Sequence, residues 1–173
     1  MAANVQAPAV GFPPVLSDAV RDAAIEFFGS YCGLQPCERD DKPVESGGPG
    51  IMGVISFFGD PVWSVSLVMP QQTAVMAAKA FAGFEISFDS ADMGDIVGEM
   101  ANVMAGDIVA RLDARGITAQ MSLPTVARGN DVEVLSAANE CATRLKFESP
   151  NGSFLFRLVK ALDRLPNVRR AGA

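Results

Sequence analysis

The sequence predicts an α+β fold, in which an antiparallel-rich β-sheet carries helices packed on one face. Segments rich in β-branched and aromatic residues occur in pairs joined by short turns, which is typical of antiparallel hairpins. Between these pairs lie longer segments whose apolar residues recur at helical spacing. Because strands and helices are mixed while the β connections are short, the helices are expected on one face of the sheet.

Length and composition indicate a single folded domain with loose ends. The 173 residues are 49% apolar and 20% charged, which is typical of a globular protein with one hydrophobic core. Residues 1–14 are rich in proline and small side chains and are predicted to be a flexible N-terminal lead-in. Residues 15–162 are predicted to form the domain, and residues 163–173 a basic C-terminal tail.

Charge and hydropathy disfavour two classes of partner. The formal net charge is −6, which argues against binding of nucleic acid. No apolar run reaches the roughly 18 residues of a membrane span, and the first residues lack the basic leader of a secretory signal. We therefore expect a cytoplasmic protein with no membrane partner.

Cysteine and histidine usage limits the chemistry that the chain can perform. Three cysteines, Cys32, Cys37 and Cys141, cannot all pair, and buried reduced thiols are the simplest expectation. The chain contains no histidine, which excludes a Cys/His zinc site and removes any Ser/His or Cys/His nucleophile pair. No metal site is expected, and covalent hydrolase chemistry is disfavoured.

The first half of the chain is predicted to form a helix, a hairpin and a second helix. Ser17 is expected to cap the first helix. Residues 51–58 and 62–69 are predicted to pair as a hairpin, and alternate residues of its second strand share one face. Pro70 is expected to open the second helix, which ends at Gly83.

The second half is predicted to begin with a long helix that Ser90 or Asp92 caps and that Gly116 stops. The elements expected after it are a strand at residues 117–123, a turn-like segment at 125–131, a marginal strand or helix start at 132–135, and a hairpin of strands 141–148 and 153–159. In the final strand both alternating sets of residues include apolar side chains, which indicates a strand covered on both sides.

The long helix carries an unusual polar stripe. At about 100° per residue, Asp95, Asn102, Gly106 and Asp113 fall within roughly 60° of Glu99, and apolar residues occupy the other side. A solvated helix face is one interpretation of this stripe. Glycine lowers helix propensity by up to about 1 kcal/mol, so the small residue beside the Glu/Asn pair favours a second interpretation, a shallow surface that another protein approaches closely.

Two motifs in this part of the chain are more specific together than either is alone. The first is Asp95-x-x-x-Glu99-x-x-Asn102-Val-Met-Ala-Gly106, and the second, after a glycine turn, is Ser122-Leu-Pro-Thr-Val. Together they resemble the CheX branch of the CheC/CheX/FliY phosphatases, and the resemblance extends over most of the domain. It implies a CheC/CheX-like fold.

The first predicted helix narrows the resemblance to one branch of this family. It reads Asp22-Ala-Ala-Ile-Glu26 and lacks an asparagine where CheC and FliY relatives carry a second Glu-x-x-Asn site. This departure favours the single-site CheX-like branch.

The resemblance implies an enzyme that hydrolyses the aspartyl phosphate of a CheY-type response-regulator receiver domain. In the family's mechanism, Glu99 would pair with the receiver's lysine, and Asn102 would enter the phosphorylation site to orient the attacking water. Asp95 and Gly106 would belong to the partner-binding surface. No cofactor of its own is implied, because the receiver supplies Mg²⁺ and the acyl phosphate is already activated.

Several alternatives stay open at this point. A non-catalytic CheC-like adaptor would use the same stripe to bind a receiver domain or a flagellar-motor component. A metal-binding domain would use Asp92, Asp95 and Glu99, but three carboxylates without a supporting loop are too few to bind Ca²⁺ well. Asp95 would either help to capture the receiver's lysine or only solvate the helix. The oligomeric state is also open, and a homodimer paired through exposed strand edges is one possibility.

Overall fold

The computed structural model describes residues 11–39, 47–132 and 140–161. Within them it has three helices and a seven-stranded sheet, which confirms the predicted α+β fold. The helices are α1 (Pro14–Ser30), α2 (Gln71–Ala82) and α3 (Ala91–Asp113). The strands are β1 (Cys37–Glu38), β2 (Pro49–Gly59), β3 (Trp63–Pro70), β4 (Ala119–Met121), β5 (Thr125–Asn130), β6 (Glu140–Ser149) and β7 (Gly152–Ala161).

All strand pairs are antiparallel, and the sheet order is β1-β6-β7-β3-β2. The outer edge of β2 carries two short strands: β5 pairs with residues 49–54, and β4 pairs with residues 57–59. The chain continues along this edge between the two strands, at residues 122–124. Both predicted hairpins, β2–β3 and β6–β7, are confirmed.

The hydrophobic core lies between one face of the sheet and the helices. Alternate residues of β3, from Trp63 to Met69, are buried as predicted. The Trp63 ring stacks on Phe57 with 4.4 Å between centroids, and the Phe12 and Trp63 rings meet edge-on with 6.2 Å between their centroids. On the opposite face of β7, Leu155 is only half-buried, so the predicted covering on both sides of that strand is partial.

Helix α3 lies close to the sheet because β2 has a glycine beneath it. A Cβ atom placed on Gly53 would lie 3.2 Å from the Cβ of Ala101 and 3.5 Å from Cγ1 of Val97. Next to this contact is a cavity of ≈ 20 Å³ with an apolar lining that includes Phe57 and Ile108. Gly53 therefore sets the distance between the sheet and α3.

The start of α1 differs from the prediction. The helix begins at Pro14, its N-cap is Pro13, and no side chain caps it. Ser17 lies inside the first turn, where its hydroxyl donates to the Pro14 carbonyl at 2.9 Å. The predicted Ser17 cap was wrong because proline at the first helical position is itself a favourable start. Residues 1–10 and 162–173, which hold most of the predicted lead-in and all of the basic tail, lie outside the described residues.

The segment predicted as a turn at residues 125–131 is instead mostly strand β5. Conversely, the strand predicted at residues 117–123 is reduced to the three residues of β4. The marginal element predicted at 132–135 lies almost entirely outside the described residues. The errors share a cause: β4 and β5 exist by pairing with β2, a partner sixty or more residues away along the chain, and local sequence does not encode that pairing.

The cysteines occupy three different environments, and all three thiols are free. Cys32 is buried as expected, and burial raises the pKa of its thiol to about 12. Cys37 is exposed, so the expectation of a buried thiol was wrong there, while Cys141 is half-buried. Among the described residues, no helix combines the length and hydropathy that a membrane span requires.

Candidate functional site

The start of α3 is fixed by its own cap and by a side chain from β5. The hydroxyl of Ser90 accepts from the backbone N–H of Met93 at 3.3 Å, which makes Ser90 the cap and leaves Asp92 in the first turn. Arg128 of β5 donates from Nη1 to the carbonyls of Phe88 and, at 2.8 Å, Ser90. Its guanidinium also lies 5.7 Å from the centre of the Phe88 ring. β5 therefore anchors the helix that carries the predicted site.

The four predicted site residues lie together on one exposed face of α3. Asp95, Glu99 and Gly106 are exposed, and Asn102 is half-buried. Because residues three and four apart are neighbours on a helix surface, Glu99 and Asn102 project side by side, with Asp95 one turn before them. Residues on the other side of the helix are buried, among them Met93, Val97, Met100, Met104 and Ile108.

Within the parts of the chain that the structure describes, the side chains of Asp95, Glu99 and Asn102 make no hydrogen bond or ion pair. Their polar atoms face solvent and are available to a partner. This sets them apart from Asp107 of α3 and from Asp22 and Glu26 of α1, which are engaged with arginines.

The connection between β4 and β5 forms one wall of this face. A Cβ atom on Gly98 would lie in ordinary contact with Cγ of Pro124 (3.7 Å) and Cγ2 of Val126 (3.6 Å). Gly98 is one turn before Asn102 on the same side of the helix, since the two residues are four apart. Pro124 therefore lies beside the turn of α3 that carries Asn102.

Helix α1 lies along another side of α3 and is held there by ion pairs. Arg111 of α3 bonds Asp107 at 2.9 Å and Glu26 of α1, and Arg115 bonds Asp22 at 3.4 Å. Burial alone would lower the pKa of Arg111, but the hydrogen bonds and charges of Asp107 and Glu26 outweigh it and raise that pKa. Asp22 and Glu26 belong to the α1 segment that lacks a second Glu-x-x-Asn site. In this protein they form ion pairs that link α1 to α3.

The glycines of α3 do not have a common role. Gly98 packs against the β4–β5 connection, which explains it within the fold. A Cβ atom on Gly94 or Gly106 would meet nothing within 4 Å. Packing inside the domain therefore accounts for Gly98 but not for Gly94. The fold does not require the glycine at position 106, beside the Glu/Asn pair.

Substituting alanine for Gly94 is expected to stabilise the protein. Alanine is favoured over glycine inside a helix by up to about 1 kcal/mol, and the space around position 94 is open. Urea denaturation should show a free energy of unfolding higher by about 0.5–1 kcal/mol for Gly94→Ala, and Gly106→Ala should behave alike. A lower unfolding free energy for either variant would contradict the open environment.

The stripe offers binding and orienting groups rather than a nucleophile or a metal cage. In the described ranges, no group of three or more Cys, Asp or Glu side chains is arranged to hold a metal ion, so the metal-binding alternative through Asp92 gains no support. The amide of Asn102 presents both a donor and an acceptor, and the carboxylate of Glu99 presents acceptors only. Such a pair can hold a cation and position a water molecule on a surface that another protein covers.

Comparisons with known proteins identify the family of this chain. The family model described as chemotaxis phosphatase CheX matches residues 51–148, more than half of the 173 residues, and the match includes α3, β4 and β5. A search of curated protein sequences finds no match.

Solved structures agree in fold. CheX from Desulfovibrio desulfuricans is 23% identical, with a TM-score of 0.73 over 84% of this chain and 98% of that chain. CheX from Vibrio vulnificus is 16% identical, with a TM-score of 0.73 over 83% and 97%. The CheX–CheY–BeF₃–Mg²⁺ complex from Borrelia burgdorferi is 19% identical, with a TM-score of 0.64 over 86% and 98%. The fold of these neighbours and the family match over α3 and the sheet agree, and the chain belongs to the CheX family of chemotaxis phosphatases.

Proposed function

We propose that this protein hydrolyses the aspartyl phosphate of a CheY-type receiver domain, which docks on the exposed face of α3. The observation that carries the proposal is the pair Glu99 and Asn102, unpaired and side by side on that face, in a chain of a chemotaxis phosphatase family. A structural neighbour from Borrelia burgdorferi is a CheX in complex with CheY, BeF₃ and Mg²⁺, which supports a receiver domain as the partner.

Glu99 is proposed to bind the active-site lysine of the receiver. A receiver's phosphorylation site is rich in carboxylates and carries the phosphoryl group, so an approaching carboxylate is repelled unless it meets a cation. The exposed Glu99 carboxylate has no partner of its own, and pairing with an ammonium group would remove this repulsion and set the register of docking. Asp95, one turn away, is proposed to add to the same negative potential.

Asn102 is proposed to orient the attacking water. Its side-chain oxygen accepts a hydrogen bond from the water, and its nitrogen donates to a phosphoryl oxygen. The water oxygen attacks phosphorus, the bond from phosphorus to the acyl oxygen breaks, and the aspartate carboxylate leaves as inorganic phosphate forms. Since the substrate is activated and Mg²⁺ on the receiver neutralises the phosphoryl oxygens, positioning is the main requirement. Gly106 is proposed to let the receiver approach the helix closely.

The test is decay of receiver phosphate. Receiver domains encoded in the same genome are phosphorylated with acetyl phosphate, freed of the donor, and followed with and without this protein. Faster decay of at least one receiver supports the proposal. Binding of a phosphorylated receiver without faster decay would instead favour the non-catalytic adaptor. A homodimer stays a prediction of the sequence.

Removing the Glu99 carboxylate is expected to weaken docking more than turnover. For Glu99→Ala we expect KM for the phosphorylated receiver to rise by roughly thirtyfold, since a lost charge pair at an interface costs roughly 2 kcal/mol, with a smaller change in kcat. Steady-state decay at several receiver concentrations separates the two parameters. The matched control is Asp113→Ala, an exposed acid at the end of the same helix. Equal KM values for wild type and Glu99→Ala would refute the proposed role.

A further inference from the structure

One large apolar side chain in the connection next to the site is exposed to solvent. Leu123, in the connection between β4 and β5, is 85% exposed. Every other large hydrophobic residue that is exposed in the described part of the chain has a value of 60% or less. Single exposed hydrophobics are common on protein surfaces, so exposure alone assigns no role to Leu123. The role that we assign to Leu123 rests on the structure of its backbone and on its location.

The backbone around Leu123 is held on both sides. Before it, Ser122 donates its N–H to the Ser56 carbonyl at 2.9 Å, and the Ser122 hydroxyl accepts from the Ser56 N–H at 3.0 Å. The same hydroxyl donates to the Leu123 carbonyl at 2.8 Å. After it, Pro124 lies against Gly98 of α3 and fixes one backbone dihedral. The backbone that carries Leu123 is therefore held in place on both sides. Little backbone conformational entropy is lost when a partner covers the leucine.

Leu123 directly precedes Pro124, which lies beside the proposed docking face. Pro124, the next residue, contacts Gly98, and Gly98 is one helical turn from Asn102. A receiver domain that covers the exposed stripe of α3 and brings its phosphorylation site to Asn102 therefore also reaches the β4–β5 connection. The stripe itself offers charge and an amide but no exposed large apolar side chain in the described structure.

We propose that Leu123 is the apolar anchor of this docking face and inserts into an apolar depression on the receiver domain beside its phosphorylation site. The inference rests on the proposed function, because it takes the same receiver as the partner. Asp95 and Glu99 would steer and orient the receiver, while the buried leucine would supply affinity. This division is typical of interfaces, in which few well-packed residues carry most of the binding free energy.

The experiment compares Leu123→Asp, Leu123→Ala and Leu123→Met. The dissociation constant is measured for a receiver of the same genome loaded with Mg²⁺ and beryllofluoride, and KM and kcat are measured for phosphate decay. We expect Leu123→Asp to raise both the dissociation constant and KM by about tenfold or more, which is about 1.4 kcal/mol, while kcat changes less than about twofold. Leu123→Ala should be intermediate, and Leu123→Met should resemble wild type because it keeps the apolar contact.

The control is Val62→Asp, which puts a charge at a half-exposed apolar position in the β2–β3 turn and should leave binding unchanged. Urea midpoints should match wild type for all four variants, because both positions are exposed. If Leu123→Asp is less stable than wild type, the role of Leu123 is judged by comparing the dissociation constants and KM values of Leu123→Ala and Leu123→Met. Binding by Leu123→Asp or Leu123→Ala that equals wild type would overturn the proposal.

The same measurements separate this inference from the proposed function. A wild-type protein that binds a loaded receiver without speeding phosphate decay refutes the catalytic proposal, and the dissociation constants still decide the role of Leu123. A wild-type protein that binds none of the loaded receivers refutes both.

Discussion

Replacing Asn102 with alanine is expected to slow receiver dephosphorylation by on the order of 10²-fold or more. The estimate follows from the cost of removing one positioned hydrogen-bonding group from a transition state, which is about 2.7–4 kcal/mol. Asn102 is the only side chain of the proposed pair that can both donate and accept, so no neighbour on the stripe replaces it. The measurement is single-turnover decay of a phosphorylated receiver at saturating Asn102→Ala.

Three comparisons isolate the role of Asn102. Its side chain makes no hydrogen bond within the described residues, so the unfolding free energy of Asn102→Ala should equal that of wild type. Asp113→Ala, on the same helix face, should keep wild-type decay. Binding of the loaded receiver should change little with Asn102→Ala, since the loss is in the chemical step. Decay within about threefold of wild type would contradict the proposal.

Gly53→Leu is expected to lower the free energy of unfolding by about 3 kcal/mol, at the upper end of overpacking costs. The Cβ atom of the new side chain would by itself lie 3.2 Å from the Cβ atom of Ala101. The neighbouring cavity of ≈ 20 Å³ holds about one water-sized group, whereas leucine adds four carbons. The gain from replacing glycine in a strand, up to about 1 kcal/mol, does not offset this. Urea or thermal denaturation measures the change.

The matched control for this prediction is Val54→Leu. Val54 neighbours Gly53 in β2 but is half-buried on the face of the sheet away from α3. One added methylene there should change stability by less than about 0.5 kcal/mol. If Gly53→Leu were as stable as Val54→Leu, α3 would not be closely seated on β2. Receiver dephosphorylation by Gly53→Leu should also fall, because α3 must move to accommodate the side chain.

Helix α3 and the two long hairpins could be predicted from sequence because their signals are local. A 3.6-residue period or an alternating strand is contained in the segment itself. Strand β5 could not be predicted from sequence, because Arg128-Gly-Asn has the composition of a turn. In addition, only Val126 of that strand is half-buried, and its other residues are exposed. Such a strand exists because β2 offers an unpaired edge, and that information lies elsewhere in the chain.

The candidate site could likewise be predicted from sequence only in part. Helical periodicity places Glu99 and Asn102 on one exposed face of α3, as predicted. The sequence did not reveal that Pro124 lies beside that face or that Arg128 ties β5 to the start of the helix. Both contacts depend on the register of β5 against β2. The Leu-Pro pair was visible as part of a motif, but its place beside the site required the fold.

Trp63 gives the protein a built-in optical reporter of its core. It is the only tryptophan in the chain, it is 3% exposed, and its ring stacks on the buried Phe57. Its emission therefore shifts to longer wavelength when the core opens to water. The stripe of α3 lies on the solvent side of the helix, so a receiver that docks there leaves the indole environment unchanged. Intrinsic fluorescence and receiver binding thus report on separate events in the same molecule.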